Sequence, residues 1–256
     1  MSKGLLDPKV DFVFKNIFGS PNHPEILISF LNATLKAKKK IVNVDIKKTD
    51  IEKQYIEDKY SRLDVKATTS NDEIINIEIQ LKNENNMVKR SLYYLSKMYE
   101  EQLNEKEDYS KLVRTVCINI LNFKYLKTDN FHTGYRFKEI ESNEELTDIM
   151  EVHFIEIPKL QDSSDEKDML VAWTEFLKDP ESEKVRGLEL SIEEIRQAKD
   201  ELIRMSNDST QRELYDMRAN SLRDKMSELN AAERKGIEKG REEGRKEEKI
   251  KIARNM

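Results

Sequence analysis

Residues 74–82 read Ile74-Ile75-Asn76-Ile77-Glu78-Ile79-Gln80-Leu81-Lys82. From Ile75 onward apolar and polar side chains alternate, which is the period of a β-strand. Ile75, Ile77, Ile79 and Leu81 share one face. Asn76, Glu78, Gln80 and Lys82 share the other, with about 6–7 Å between successive Cα positions on a face. Just upstream, Tyr60–Thr68 reads as a strand with Leu63, Val65 and Ala67 inward and Arg62, Asp64 and Lys66 outward. The short connection through Asn71-Asp72 makes the two strands antiparallel neighbours. If Asp64 pairs near Glu78, the two carboxylates converge. A hard divalent cation such as Mg²⁺ takes oxygen ligands and keeps several waters, and two carboxylates with a strand carbonyl suit it. On parity alone the competing reading is a solvated face, since exposed faces of half-buried strands commonly carry Asp, Glu, Gln and Lys.

Outward from this pair, residues 8–19 read as a helix, with Asp7 at the N-cap, Pro8 in the first turn and Gly19 at the exit. Val10, Phe14, Ile17 and Phe18 form its apolar face, and Asp11 and Lys15 are spaced for an i,i+4 ion pair. A second helix spans Pro24 to Leu35, followed by Lys36, Lys38, Lys39 and Lys40. Ile41–Lys48 alternates as a strand. Residues 87–104 are an amphipathic helix. Leu112–Phe123 has the continuous apolar character of a strand covered on both faces, and Tyr135–Ile140 and Met150–Ile157 are further strands. This order of elements predicts an α/β domain over residues 1–160.

The remainder reads as helix. Ser164–Leu177 presents Leu170, Trp173, Phe176 and Leu177, and Ser191–Met205 opens on a capping-box pattern. We assign 161–232 to a helical region and 233–256 to a charged tail helix in which Gly236, Gly240 and Gly244 recur. Apolar residues are scarce there, so the tail is a frayed helix or one steadied by a partner, such as a second copy of the chain.

Composition narrows the class. Charged residues equal hydrophobic ones at 37% each, so a core can form but part of the chain must be a solvated helix. The single cysteine, Cys117, rules out an internal disulfide framework, and its apolar surroundings predict a buried thiol. No signal peptide or membrane-length apolar run occurs, which predicts a cytoplasmic protein without membrane contact. The net charge of −5 means that a DNA partner must be met by a local basic patch. His23, His132 and His153 lack metal-ligand spacing, and no Walker loop or Gly-x-Ser-x-Gly elbow is present.

The stretch from Asp7 to Leu160 resembles the Rpn-type recombination-promoting nuclease and transposase family of the PD-(D/E)XK nuclease superfamily. The resemblance is carried by Asp11-Phe12-Val13-Phe14-Lys15-Asn16-Ile17-Phe18-Gly19, by Asp64, by Glu78-Ile79-Gln80, by Arg90 and Tyr94, and by Tyr109 to Phe123. Trp173, Phe176-Leu177 and the glycine-spaced tail also resemble it. The resemblance implies a restriction-endonuclease-like α/β core, a mixed sheet flanked by helices, then a helical C-terminal region with a long charged tail helix. It implies a DNA endonuclease using Mg²⁺ or Mn²⁺, with Asp64 and Glu78 as metal ligands and Asp11 and Lys15 from the first helix. Arg90 and Tyr94 lean over the site in support. Gln80 stands where the family motif has lysine and cannot carry its charge; Lys82, Lys66 or Lys15 are candidates to supply the amine. A nuclease-like fold that binds DNA or a protein without cutting is the alternative.

Overall fold

A computed structural model describes residues 4–36, 39–47, 65–165 and 167–254. The chain divides into two compact units, residues 1–212 and 213–256. The first is organised on six strands: β1 (Val44–Lys47), β2 (Val65–Thr69), β3 (Ile74–Gln80), β4 (Thr115–Leu121), β5 (His132–Lys138) and β6 (Glu145–Glu156). Their order across the sheet is β1-β2-β3-β4-β6-β5. β1, β2 and β3 run antiparallel, β3, β4 and β6 are parallel, and β5 closes the edge antiparallel to β6. This is the mixed α/β sheet that the sequence predicts.

β2 and β3 are joined by a short hairpin. The Thr69 amide donates to the Glu73 carbonyl and the Asp72 amide to the Thr69 carbonyl. Asp72 takes the left-handed conformation, φ 61°, which a short polar side chain tolerates at a turn. β4 is buried along its whole length, as expected of a parallel strand covered on both faces.

Helices cover the two faces. On one, α1 (Asp11–Phe18) and α2 (Pro24–Leu35) meet α4 (Met169–Lys178). Phe18 stacks on Phe14 at 4.5 Å and lies edge-on to Phe30 and Trp173 at 5.4 and 5.3 Å. The Trp173 indole donates to the Ser29 hydroxyl at 3.2 Å. Each ring gains burial plus a favourable edge geometry, so this cluster ties the later helices to the start of the chain. α5 (Glu183–Glu189) and α6 (Glu193–Asn207) complete that layer. On the other face, α3 (Met87–Glu100) lays Met87 and Leu95 over Cys117, Leu121, Val152 and Phe154.

Several local expectations are corrected. α1 begins at Asp11, not at Pro8: Asp7 and Val10 close a turn through the Val10 amide and the Asp7 carbonyl, and the Asp7 carboxylate accepts from the Lys9 amide. Gly19 does end the helix, because a Cβ there would lie 2.6 Å from the Lys15 carbonyl oxygen. Ser191 is not a cap for α6; its hydroxyl donates to the Leu188 carbonyl and closes α5, a helix that the sequence reading missed. β6 starts at Glu145 because its first residues pair with β5 beyond the core, where no burial alternation marks them.

The second unit is the greater part of α7 (Ser209–Arg254). Leu214 and Met217 are exposed, and a Cβ at Gly236, Gly240 or Gly244 would meet nothing within 4 Å. Among the described residues no helix is long and apolar enough to cross a membrane.

Candidate active site

Strand parity puts Glu78 on the face covered by α3, in register with Asn119 of β4. This face is not solvated: Asn76 and Glu78 are both 0% exposed. The solvated-face reading therefore fails at these positions, because α3 closes over them. Sequence alternation locates the two faces of a strand but says nothing about what packs on the polar one.

A carboxylate without water needs partners. One Glu78 oxygen, Oε2, accepts from Arg90 Nε at 3.2 Å. The other, Oε1, is buried and accepts no hydrogen bond among the described residues. Burial pushes the Glu78 carboxyl up, the Arg90 guanidinium and then the Asn76 side chain pull it only part of the way back, and it stands at about 7. Arg90 also lies over the Tyr94 ring, 5.4 Å from its centroid, a cation–π contact made possible by their i,i+4 spacing on α3. Beneath α3, Ser91 Oγ donates to Asn119 Oδ1 at 2.8 Å, and Asn119 Nδ2 donates to the His153 carbonyl at 3.0 Å. Cys117, beside them, has its thiol pushed up to about 12 by burial. It is the inert buried cysteine expected.

The structure thus brings Glu78, Arg90 and Tyr94 together. Gln80 ends β3 half-buried on the same strand face, and Lys82 follows two residues on. Asp64 lies outside the described residues; the first described pair of β2 with β3 is Val65 with Ile77. Asp11 and Lys15 belong to α1, whose C-terminal end approaches Val65: a Cβ at Gly19 would be 3.4 Å from Val65 Cγ2. Val65 shares its face with Ile77, so α1 serves the face opposite to Glu78. Lys66 pairs with Glu101 just beyond α3 at 3.8 Å. Of the lysines that follow α2, Lys36 pairs with Asp168 at 3.2 Å, Lys39 and Lys40 are exposed, and Lys38 lies outside the described residues.

Sequence reasoning missed a second polar cluster. His132 and His153, 21 residues apart, stack at 5.1 Å with His132 Nε2 and His153 Nδ1 at 2.9 Å. His153 Nε2 lies 2.5 Å from Glu151 Oε1. Glu151 also receives Arg114 at 2.5 Å and Arg136 at 2.8 Å. Burial pushes the Glu151 carboxyl up, but the hydrogen bonds from His153, Arg114 and Arg136 win and hold it at about 2. Burial, with help from neighbouring His153, lowers His132 to about 4. The only available signal was parity, which puts Glu151 and His153 on one face of β6; the pairing with β5 is tertiary. Among the described residues no group of three or more His, Cys, Asp or Glu can hold a metal ion.

No curated protein and no solved structure matches the chain. The model of the family described as PD-(D/E)XK nuclease family transposase matches residues 8–232. That span takes in the whole sheet, the Glu78 site and the packed helices α4–α6, and the sheet order and helix layers agree with it. The chain belongs to the PD-(D/E)XK nuclease family of transposases.

Proposed function

We propose that the protein is a divalent-metal-dependent endonuclease that hydrolyses phosphodiester bonds in DNA, serving transposition or recombination. The observation that carries this reading is the Glu78 carboxyl, buried on β3 with one oxygen paired to Arg90 and the other unpartnered among the described residues. Such an atom is destabilised where it stands, and a cation would relieve it. Nucleases of this family use divalent metal ions; Mg²⁺ or Mn²⁺ suits a site of carboxylate oxygens.

In this proposal Glu78 and Asp64 hold the metal. Val65, which follows Asp64 in the sequence, pairs with Ile77, which precedes Glu78. When bound, the ion supplies Lewis acidity and a water of lowered pKa. The chain does the rest. Arg90 uses one of its five N–H groups on Glu78, so the others are available for phosphate oxygens. The Tyr94 ring holds the guanidinium plane in place. Gln80 orients water or phosphate through its amide, and Lys82 supplies positive charge near the leaving oxygen in place of the motif lysine. Asp11 and Lys15 are given no part in holding the metal, since α1 packs on the face opposite to Glu78.

Nicking of supercoiled plasmid tests this. The wild type should cut with Mg²⁺ or Mn²⁺ and not in EDTA, and Asp64→Ala and Glu78→Ala should each abolish cutting. Gln80→Ala should lose less. Wild-type cutting by either acid variant refutes the site. DNA binding without cutting by the wild type refutes the nuclease reading and leaves a nuclease fold that binds DNA.

A further inference from the structure

The loop that follows β4, residues 122–131, is anchored more firmly than a surface connection requires. Its start is tied to the candidate site, since the Asn122 amide donates to the Gln80 carbonyl at 2.9 Å. Phe123, Tyr125 and Leu126 pack on the cluster containing Met87 and Leu95 of α3. Two buried charges then fix the backbone. Glu156 Oε2 accepts from the Tyr125 amide at 2.5 Å and the Leu126 amide at 3.2 Å. Lys159 Nζ donates to the Leu126 carbonyl at 2.8 Å, the Thr128 carbonyl at 2.6 Å and Glu156 Oε1 at 2.7 Å. The side chains of Lys159 and Glu156 are only 6% and 1% exposed. All three ammonium protons and both carboxylate oxygens are used, so the buried pair is fully satisfied and rigid.

The loop side chains are treated in the opposite way. Lys124 and Lys127 are exposed and carry no hydrogen bond or ion pair among the described residues. Within the loop the one acidic residue is Asp129. Lys89, exposed, and Arg90 stand on the first turn of α3, against which the loop packs. A fixed backbone presenting unpaired amines beside a nuclease site recognises an extended polyanion, with little ordering of the loop needed on binding.

We propose that loop 122–131 is a preformed phosphate-contacting surface, through which Lys124 and Lys127 engage the DNA backbone flanking the bond cleaved at the Glu78 site. It rests on the DNA-substrate reading above and goes beyond it by naming the surface. The locality meets the requirement for a basic patch on an acidic protein.

The test is the salt dependence of binding to a short random-sequence duplex, with Ca²⁺ in place of Mg²⁺. Each phosphate contact contributes about −0.9 to the slope of log K against log salt. Lys124→Ala/Lys127→Ala should therefore flatten the slope by about 1.8 while keeping the wild-type melting temperature, and Lys124→Arg/Lys127→Arg should restore it. A control double variant at Lys178 and Lys184, which pair with Glu175, should keep the wild-type slope. Duplex binding by the wild type with an unchanged slope in the Ala variant overturns this inference alone. No duplex binding by the wild type overturns the DNA-substrate reading, and this inference with it.

Discussion

Replacing Glu78 by glutamine removes a buried carboxylate while keeping its size. In the folded protein burial raises this carboxyl from 4.5 to about 7. Between those values the folded state holds a proton that the unfolded chain has released, so stability falls as pH rises through the window. The shift corresponds to about 3 kcal/mol, fully expressed above about pH 8 and absent below about pH 4.5. Glutamine does not titrate, and Arg90, whose side chain is 23% exposed, can turn toward water. In EDTA, the stability of Glu78→Gln relative to wild type should therefore improve by about 3 kcal/mol between pH 4.5 and 8.5. For a chain this long that is about 6–12 °C in relative melting temperature. Urea or thermal unfolding at both pH values reads it directly. A difference that does not change with pH refutes the reasoning, because it would mean that the Glu78 carboxyl ionises at its ordinary value. Adding Mg²⁺ at pH 8.5 should stabilise the wild type and leave Glu78→Gln unmoved.

The His132 cluster gives the opposite sign. Its folded value is lowered to about 4, so its contribution is complete above about pH 6.5 and disappears as pH falls through 4, by about 3 kcal/mol at most; His132→Gln should remove that acid sensitivity, and an unchanged pH profile between 6.5 and 4 would contradict it. The three tail glycines meet nothing that a methyl would strike, so Gly236→Ala/Gly240→Ala/Gly244→Ala should raise helicity by circular dichroism, each change favouring helix by about 1 kcal/mol. If the tail joins two copies through those glycines, the same variant should instead dissociate a dimer seen by sedimentation.

The element types were legible in the sequence wherever one face is buried and the other is not. The 74–82 alternation, the α3 periodicity and the unbroken apolar run of β4 are local patterns that burial imposes residue by residue. Boundaries escaped where a neighbour overrode the local signal: Ser191 closes α5 instead of opening α6, and the first residues of β6 lie beyond any core. At the site, the sequence picked out Glu78, Gln80, Arg90 and Tyr94 as strand and helix positions. It could not tell that Glu78 is buried. Alternation states which residues share a face, whereas burial depends on which helix lies over that face. Only tertiary packing, α3 closing on β3 and β4, turns a polar strand face into a dry pocket where a carboxyl is held near neutrality. The same limit hid the Glu151–His153–His132 chain and the Glu156–Lys159 anchor, whose partners lie on other elements. The sequence by itself determined the types of the elements whose burial follows a local pattern, and the family. The tertiary structure decided which polar groups lose water, and desolvation is what gives those groups altered chemistry.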